Sequence, residues 1–474
     1  MYRHYINGKL QRGTGAKQYR IINPATEEIA GEYTGASAEQ TGEALDAARI
    51  AFAAWSKLPM RLRGEWMEKL KIALLQNKEE LLDVLMSETG KPLTVAQYDF
   101  GMIPECLDFF REEAGRISGS IINDIDGKFR NLVIRQPLGV VVGFLAWNFP
   151  LLNIGYKIGP VLASGCTCVL KPSSRTPLST MLIGRILERI NFPPGVINII
   201  AGPGDETGKI LNQSKIPGMI TLIGSIDAGK KIITDSGTSI KRFSLELGGN
   251  APVIIMPDAD IDAAAEKIID YKFTNTGQIC VAPNRVFVHE KVHDAFLEAA
   301  VSYTGKIKLG WGREAGARMG PVIAHEERER IFRMIKDAVN QGAVLLCGGT
   351  VPENRQKGYF ITPAILDRAS PDMSICRNEI FGPVLPVITF TDTAEAVREA
   401  NNTEYGLAAY LFTRDTGNVF RISESLEFGN VCVNEPFFAV NMPHGGIKDS
   451  GIGFDCSKYS LEEYYSIKRI SIRI

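Results

Sequence analysis

The chain has 474 residues, 45% of them hydrophobic and 23% charged, with 53 basic side chains against 54 acidic ones. That length exceeds one ordinary core and implies two or three domains, because single domains usually run to roughly 100–200 residues. A net charge of −1 gives no electrostatic footing for a nucleic-acid polymer, so a small-molecule partner is expected.

The opening MYRHYINGKLQRG places charges and turn residues where an export signal needs an unbroken apolar core, which predicts a cytoplasmic setting. The cysteines (106, 166, 168, 280, 347, 376, 432, 456) follow no disulfide-framework spacing and fit a reducing compartment. Next come AEQTGEALDAARIAFAAWSKLP and the segment Arg61 to Ser87, which read as two amphipathic helices. Between Ile117 and Arg135, two short apolar runs flank Asp126-Gly127, a dipeptide suited to a tight hairpin turn. The final YYSIKRISIRI alternates Ile with polar residues in the same way. The hairpin and this terminal strand are expected to form a small sheet whose exposed edge a second subunit completes.

From Leu138 to Tyr156 the chain carries no charge over about the length of a bilayer crossing. Asn148 and Pro150 break the run, and LGVVVGF reads as a strand buried on both faces, so no membrane span is predicted. Strand, turn and helix then repeat through VVVGFLAW, CTCVLKPSS, GVINIIAGPGDETG and MITLIGSIDAGKKI. Each turn follows the C-terminal end of a strand, where open parallel sheets bind ligands. A second block begins near Ala251 with PVIIM and continues through RVFV, AVLLCGG and VLPVITF, so the fold class is α/β.

Chemistry concentrates in two motifs. FTNTGQIC ends in Cys280, and LELGGN places Glu246 34 residues before it (280 − 246). Gly277 and Gln278 imply a backbone-exposing turn in which a thiol is reached by substrate and can serve as nucleophile. Glu246, between apolar neighbours at a strand end, suits a base that takes a proton from water. Asn148 in AWNFP follows a strand and can donate to an oxygen that becomes negative during attack. Nucleophile, hydrolytic base and oxyanion donor together suit an enzyme that makes a thioester and then hydrolyses it.

These motifs, with YINGK and NPATEE near the start and GGIKDSGIG near the end, resemble the NAD(P)-dependent aldehyde dehydrogenase superfamily along nearly the whole chain. The resemblance implies a Rossmann-like cofactor domain (1–116 and 136–249), an α/β catalytic domain (250–447) and a small β oligomerisation sheet (117–135 and 456–474). It implies a homo-oligomer, dimer or tetramer. It also implies cofactor contacts: Lys171 to the adenosine ribose, Gly204 and Gly208 near the adenine, Gly224 and Ser225 at a helix start facing the pyrophosphate, and Glu379 on the nicotinamide ribose. Trp147 and Phe381 complete that set. A helix N-terminus after GSIDAG suits phosphate, although the G-x-G-x-x-G fingerprint is absent.

Most NAD-preferring members carry glutamate where this chain has Ser174, and with Lys171 and Arg175 nearby, NADP is expected to be accepted alongside NAD. The closing motif resembles succinic semialdehyde dehydrogenases, but the arginines that grip the distal carboxylate there correspond to Tyr156 and Thr274. His444 stands where most relatives have phenylalanine. Tyr156, Thr274 and His444 therefore suggest a pocket for a small hydroxylated aldehyde such as lactaldehyde or glycolaldehyde. A semialdehyde or other anionic aldehyde is the alternative, with a CoA-acylating enzyme or an inactive structural protein behind it. His289-Glu290-x-x-His293 spells a zinc motif but starts at a strand end, and Cys166-x-Cys168 has no second ligand pair, so no metal is expected.

Overall fold

The computed structural model describes residues 1–474. Its first sheet orders the strands Gly451–Ile452, Arg242–Glu246, Pro217–Ile223, Val140–Phe144, Thr167–Lys171, Ile197–Ile199, His4–Ile6 and Lys9–Gln11. From Arg242–Glu246 to Ile197–Ile199 neighbours run parallel, and the outer strands are antiparallel. Val140–Phe144 and Thr167–Lys171 are buried along their whole length because helices cover both faces, which is why they read as continuous apolar runs. The C-terminal ends of these parallel strands deliver Glu246, Lys171, the turn after Ile223 and the loop to Asn148 to one edge of the sheet.

A second sheet orders Val344–Cys347, Ala364–Asp367, Val384–Phe390, Pro283–His289, Ala251–Ile255, Ala408–Phe412 and Asn430–Val433, all parallel except the first pair. A third, antiparallel sheet joins Ser120–Asn123, Phe129–Pro137 and the terminal Tyr465–Arg473. The expected hairpin forms, but its turn is wider than a dipeptide turn. Asp124 accepts hydrogen bonds from the N–H groups of Lys128 and Phe129, and Gly127 takes the left-handed φ of 70° the loop requires.

The segment Arg61 to Ser87 is not one helix. It divides into Met60–Gln76 and Lys78–Thr89 at Asn77, whose side chain donates to the Ala73 carbonyl and ends the first helix. The uncharged stretch after Leu138 becomes a strand, a loop and the helix Pro150–Ser164. No helix is long and apolar enough to cross a membrane.

Candidate active site

Cys280 is presented by an unusual turn. After the helix Ile261–Phe273, three successive residues adopt left-handed backbone: Asn275 (φ 48°), Thr276 (φ 61°) and Gly277 (φ 70°). A β-branched residue there is strained and persists only when its surroundings over-determine it. Here Thr276 donates to the Gly320 carbonyl (2.9 Å), and the Asn275 amide donates to the carbonyls of Asn148 (3.1 Å) and Gln278 (3.2 Å). The Gln278 side chain accepts from the Ile323 N–H (2.9 Å). Backbone packs so closely that a Cβ on Gly249 would meet the Cys280 carbonyl at 2.2 Å, and one on Gly277 would meet the Gly382 carbonyl at 2.3 Å.

Glu246 ends its strand with the side chain 4% exposed, and its Oε1 has no hydrogen-bond partner. Burial, followed by the Glu246 carboxylate, pushes the Cys280 thiol well above its ordinary value. The resting sulfur is therefore protonated, and forming the thiolate calls for a proton acceptor. The reactive atoms of Cys280, Glu246 and His444 lie within 4.8 Å of one another. Donors of these kinds can also bind zinc; Glu246 and Cys280 border two cavities that meet here, whereas His444 borders only one of them.

Asn148 donates from Nδ2 to the Gln278 carbonyl (3.1 Å), leaving its second N–H free, and its Oδ1 is unpartnered. Its backbone carbonyl accepts from Lys91 (2.8 Å), which is paired with Asp99 (2.7 Å), and Asp99 accepts from the Leu152 N–H (2.7 Å). Both charged side chains are almost fully buried, at 1% and 0% exposed. Sequence reading missed this buried pair, because neither residue lies in a motif.

Asn148, Glu246 and Cys280 line both cavities that meet here. The smaller, about 340 Å³, adds Tyr156, Thr274 and His444, together with aromatic walls from Tyr98, Phe149, Tyr271, Phe437 and Phe438. These aromatic walls were not anticipated; they come from separate helices and loops. Thr274 offers less than expected, since its hydroxyl donates to the Asp270 carbonyl (2.8 Å) as the helix ends. No lysine or arginine lines this cavity.

The larger cavity, about 940 Å³, brings together Trp147, Lys171, Ser174, Gly204, Gly224, Ser225, Glu379 and Phe381. Gly208 stands behind Lys171, where a Cβ would lie 3.9 Å from the lysine Cε. Ser225 caps the helix Ile226–Asp235, and Gly224 leaves the approach to that N-terminus open. Glu379 accepts from the Gly249 N–H (2.9 Å), and burial raises its carboxyl to about 7. Burial lowers Lys171 to about 8. A cavity with a helix N-terminus, a buried lysine and a carboxylate, running to within reach of Cys280, fits a dinucleotide. Arg175 is outside its lining: the guanidinium pairs with Glu326 (3.2 Å) and Glu327 (3.5 Å) and lies 5.9 Å from the Trp147 ring. The Ser174 hydroxyl is 3.5 Å from the Gly202 carbonyl.

The zinc-like spelling resolves into two elements. His289 ends a strand and accepts from the Lys291 N–H (3.2 Å), whereas His293 begins a helix and contacts Asp367 (2.9 Å). Cys166 precedes its strand and donates to the Tyr464 carbonyl (3.4 Å), while Cys168 is buried within the strand.

The model of the aldehyde dehydrogenase family matches residues 11–470. Glutarate-semialdehyde dehydrogenase of Pseudomonas putida is 37% identical, the match covering 99% of this chain and 97% of that protein. The NADP(+) succinate-semialdehyde dehydrogenase of Escherichia coli is 36% identical, covering 98% and 97%. The solved structure of betaine aldehyde dehydrogenase from Staphylococcus aureus with NAD+ superposes with a TM-score of 0.96 at 33% identity, covering 100% of this chain and 95% of that one. The chain belongs to the aldehyde dehydrogenase family and is an NAD(P)-dependent oxidoreductase with that family's α/β fold.

Proposed function

We propose that this aldehyde dehydrogenase oxidises a short aldehyde with a polar far end to the free carboxylic acid, through a thioester on Cys280. The observation that carries this reading is the shared wall: Cys280, Glu246 and Asn148 border both the aldehyde-sized cavity and the dinucleotide-sized one. The Cys280 thiol releases its proton to solvent as the sulfur bonds to the aldehyde carbon, which leaves Glu246 ionised for the later step. The free N–H of Asn148 and the Cys280 N–H hydrogen-bond the oxyanion. NAD(P), when bound, supplies the hydride acceptor. The remaining acyl group is attacked by water that Glu246 deprotonates; the C–S bond breaks and the acid leaves.

For the substrate, the relatives weigh toward an acidic semialdehyde rather than the lactaldehyde- or glycolaldehyde-like compound expected from the pocket residues. Tyr98 and Phe437, 50% and 61% exposed, mark the cavity mouth, where an acidic far end stays in contact with water. An uncharged polar aldehyde is the second reading, because the cavity has no lysine or arginine and a buried carboxylate needs partners. A panel of aldehydes with each cofactor decides between them. Specificity constants for succinate or glutarate semialdehyde at least about tenfold above lactaldehyde and glycolaldehyde support the first reading; the reverse order supports the second. Protein quenched during turnover should carry an acyl mass on Cys280 that accumulates in Glu246→Gln, and its absence from both forms refutes the mechanism.

NADP use alongside NAD is proposed from Ser174, with Lys171 as the phosphate partner; the acid pairing of Arg175 argues against its sharing that role. A homo-oligomer is proposed from the third sheet, whose Ile467, Ile470 and Ile472 are exposed. Unpaired cysteines accord with a cytoplasmic setting.

A further inference from the structure

We propose that His444 is a positioning residue for Glu246: its imidazole N–H aims the carboxylate at the Cys280 thioester, so that deacylation depends on it. The proposal rests on the reading of Glu246 as hydrolytic base. Three observations carry it. His444 Nε2 lies 3.5 Å from Glu246 Oε1, with the two side chains 12% and 4% exposed. Glu246 Oε1 and His444 Nδ1 are both buried without a hydrogen-bond partner. A buried carboxylate oxygen without a donor is costly, and a small rotation of the imidazole closes the gap.

The loop cannot easily drift away. The His444 N–H donates to the Asp455 carbonyl (2.8 Å), and the Asp455 N–H donates back (2.7 Å). The Asp455 carboxylate is itself fixed by Lys157 at 2.6 and 2.8 Å. The groups facing His444 are thus Glu246, Cys280, the Asp455–Lys157 pair, Cys456 behind them and Tyr156, whose ring centroid is 6.3 Å away. The Asp455 carboxylate is satisfied by its lysine, which leaves Glu246 as the acceptor without a donor. A phenylalanine here would keep the aromatic wall, including the Phe438 contact at 5.5 Å, but offer Glu246 no donor.

An activated ester tests this without cofactor or aldehyde. With p-nitrophenyl acetate, the Cys280 sulfur bonds to the acetyl carbon and p-nitrophenolate leaves as a burst. Water then cleaves the thioester, giving acetate and a steady phase that reports deacylation. His444→Phe should keep the burst amplitude and slow the steady phase about 10- to 100-fold, the effect of losing a hydrogen bond to a charged group. His444→Gln, which restores an N–H, should recover to within about threefold of the parent. Acetyl mass on Cys280 should persist longer in the Phe variant. An unchanged steady phase in His444→Phe, or a Gln variant as slow as Phe, overturns the proposal. Glu246→Gln separates the two failures: if it slows deacylation and His444→Phe does not, only the His444 role falls, whereas if it leaves deacylation unchanged, the base assignment itself is wrong. Melting curves verify folding, and His444→Leu replaces the Phe variant if that one unfolds.

Discussion

Asp99→Ala should be among the most damaging single changes outside the reacting groups. It removes the only carboxylate paired with Lys91, leaving an ammonium that is 1% exposed and still donating to the Asn148 carbonyl. It also orphans the Leu152 N–H, which Asp99 accepts at 2.7 Å. Breaking one member of a buried pair costs about 3–5 kcal/mol, because the remaining charge is uncompensated. That corresponds to a fall in melting temperature of several degrees or more. The double variant Lys91→Met, Asp99→Leu removes both charges and should regain most of the lost stability. Its turnover should stay low, since the Asn148 carbonyl loses a lysine donor and the loop carrying Asn148 loosens. Thermal unfolding and steady-state kinetics on the parent, Lys91→Met, Asp99→Leu and the double variant complete the cycle. A loss below about 1 kcal/mol in Asp99→Ala, or a double variant no better than the single, would refute the assignment of this pair as a buried brace.

Gly249→Ala should abolish turnover, because its Cβ would lie 2.2 Å from the Cys280 carbonyl and must displace the nucleophile's own backbone; near-parent activity would contradict the packing. Alkylation of Cys280 by iodoacetamide, followed by mass spectrometry, should climb with pH across about pH 6–9 without a plateau, since burial and Glu246 raise the thiol and only the thiolate reacts. Ser174→Glu should lower the NADP-to-NAD specificity ratio by about tenfold or more, as a carboxylate at that spot repels a 2′-phosphate. Lysines at Ile467, Ile470 and Ile472, exposed on the terminal strand, should yield smaller particles by size-exclusion chromatography with light scattering.

What the sequence made legible was whatever is local. VVVGF and APVII are strands buried on both faces, and such strands carry no polar alternation to mislead. Cys280 and Glu246 were visible because each sits beside glycines that the backbone geometry demands, at Gly277 and Gly249. What escaped is long-range. Asn77 splits a helical pattern through a side-chain bond to Ala73 that competes with continuation, a choice that periodicity does not register. Arg175 was expected to receive phosphate, yet it pairs with Glu326 and Glu327 about 150 positions later, at separations of 151 and 152 residues. Lys91 lies in no motif, and its part in the site follows only from Asp99 and the Asn148 carbonyl that enclose it.

The same distinction bears on the substrate. A distal-group site is composed from side chains on separate helices and loops, so replacing the arginines of one relative does not by itself define a new ligand. Tyr156, Thr274 and His444 do line one cavity, but they are not equivalent there. The Thr274 hydroxyl is already bonded to the Asp270 carbonyl, and the His444 imidazole lies 3.5 Å from the Glu246 carboxylate. Of the polar residues that suggested a hydroxylated aldehyde, Thr274 is thus engaged by the protein itself and His444 faces Glu246. The selectivity that remains comes from aromatic walls, which admit several small aldehydes and discriminate by length and solvation more than by directed hydrogen bonds.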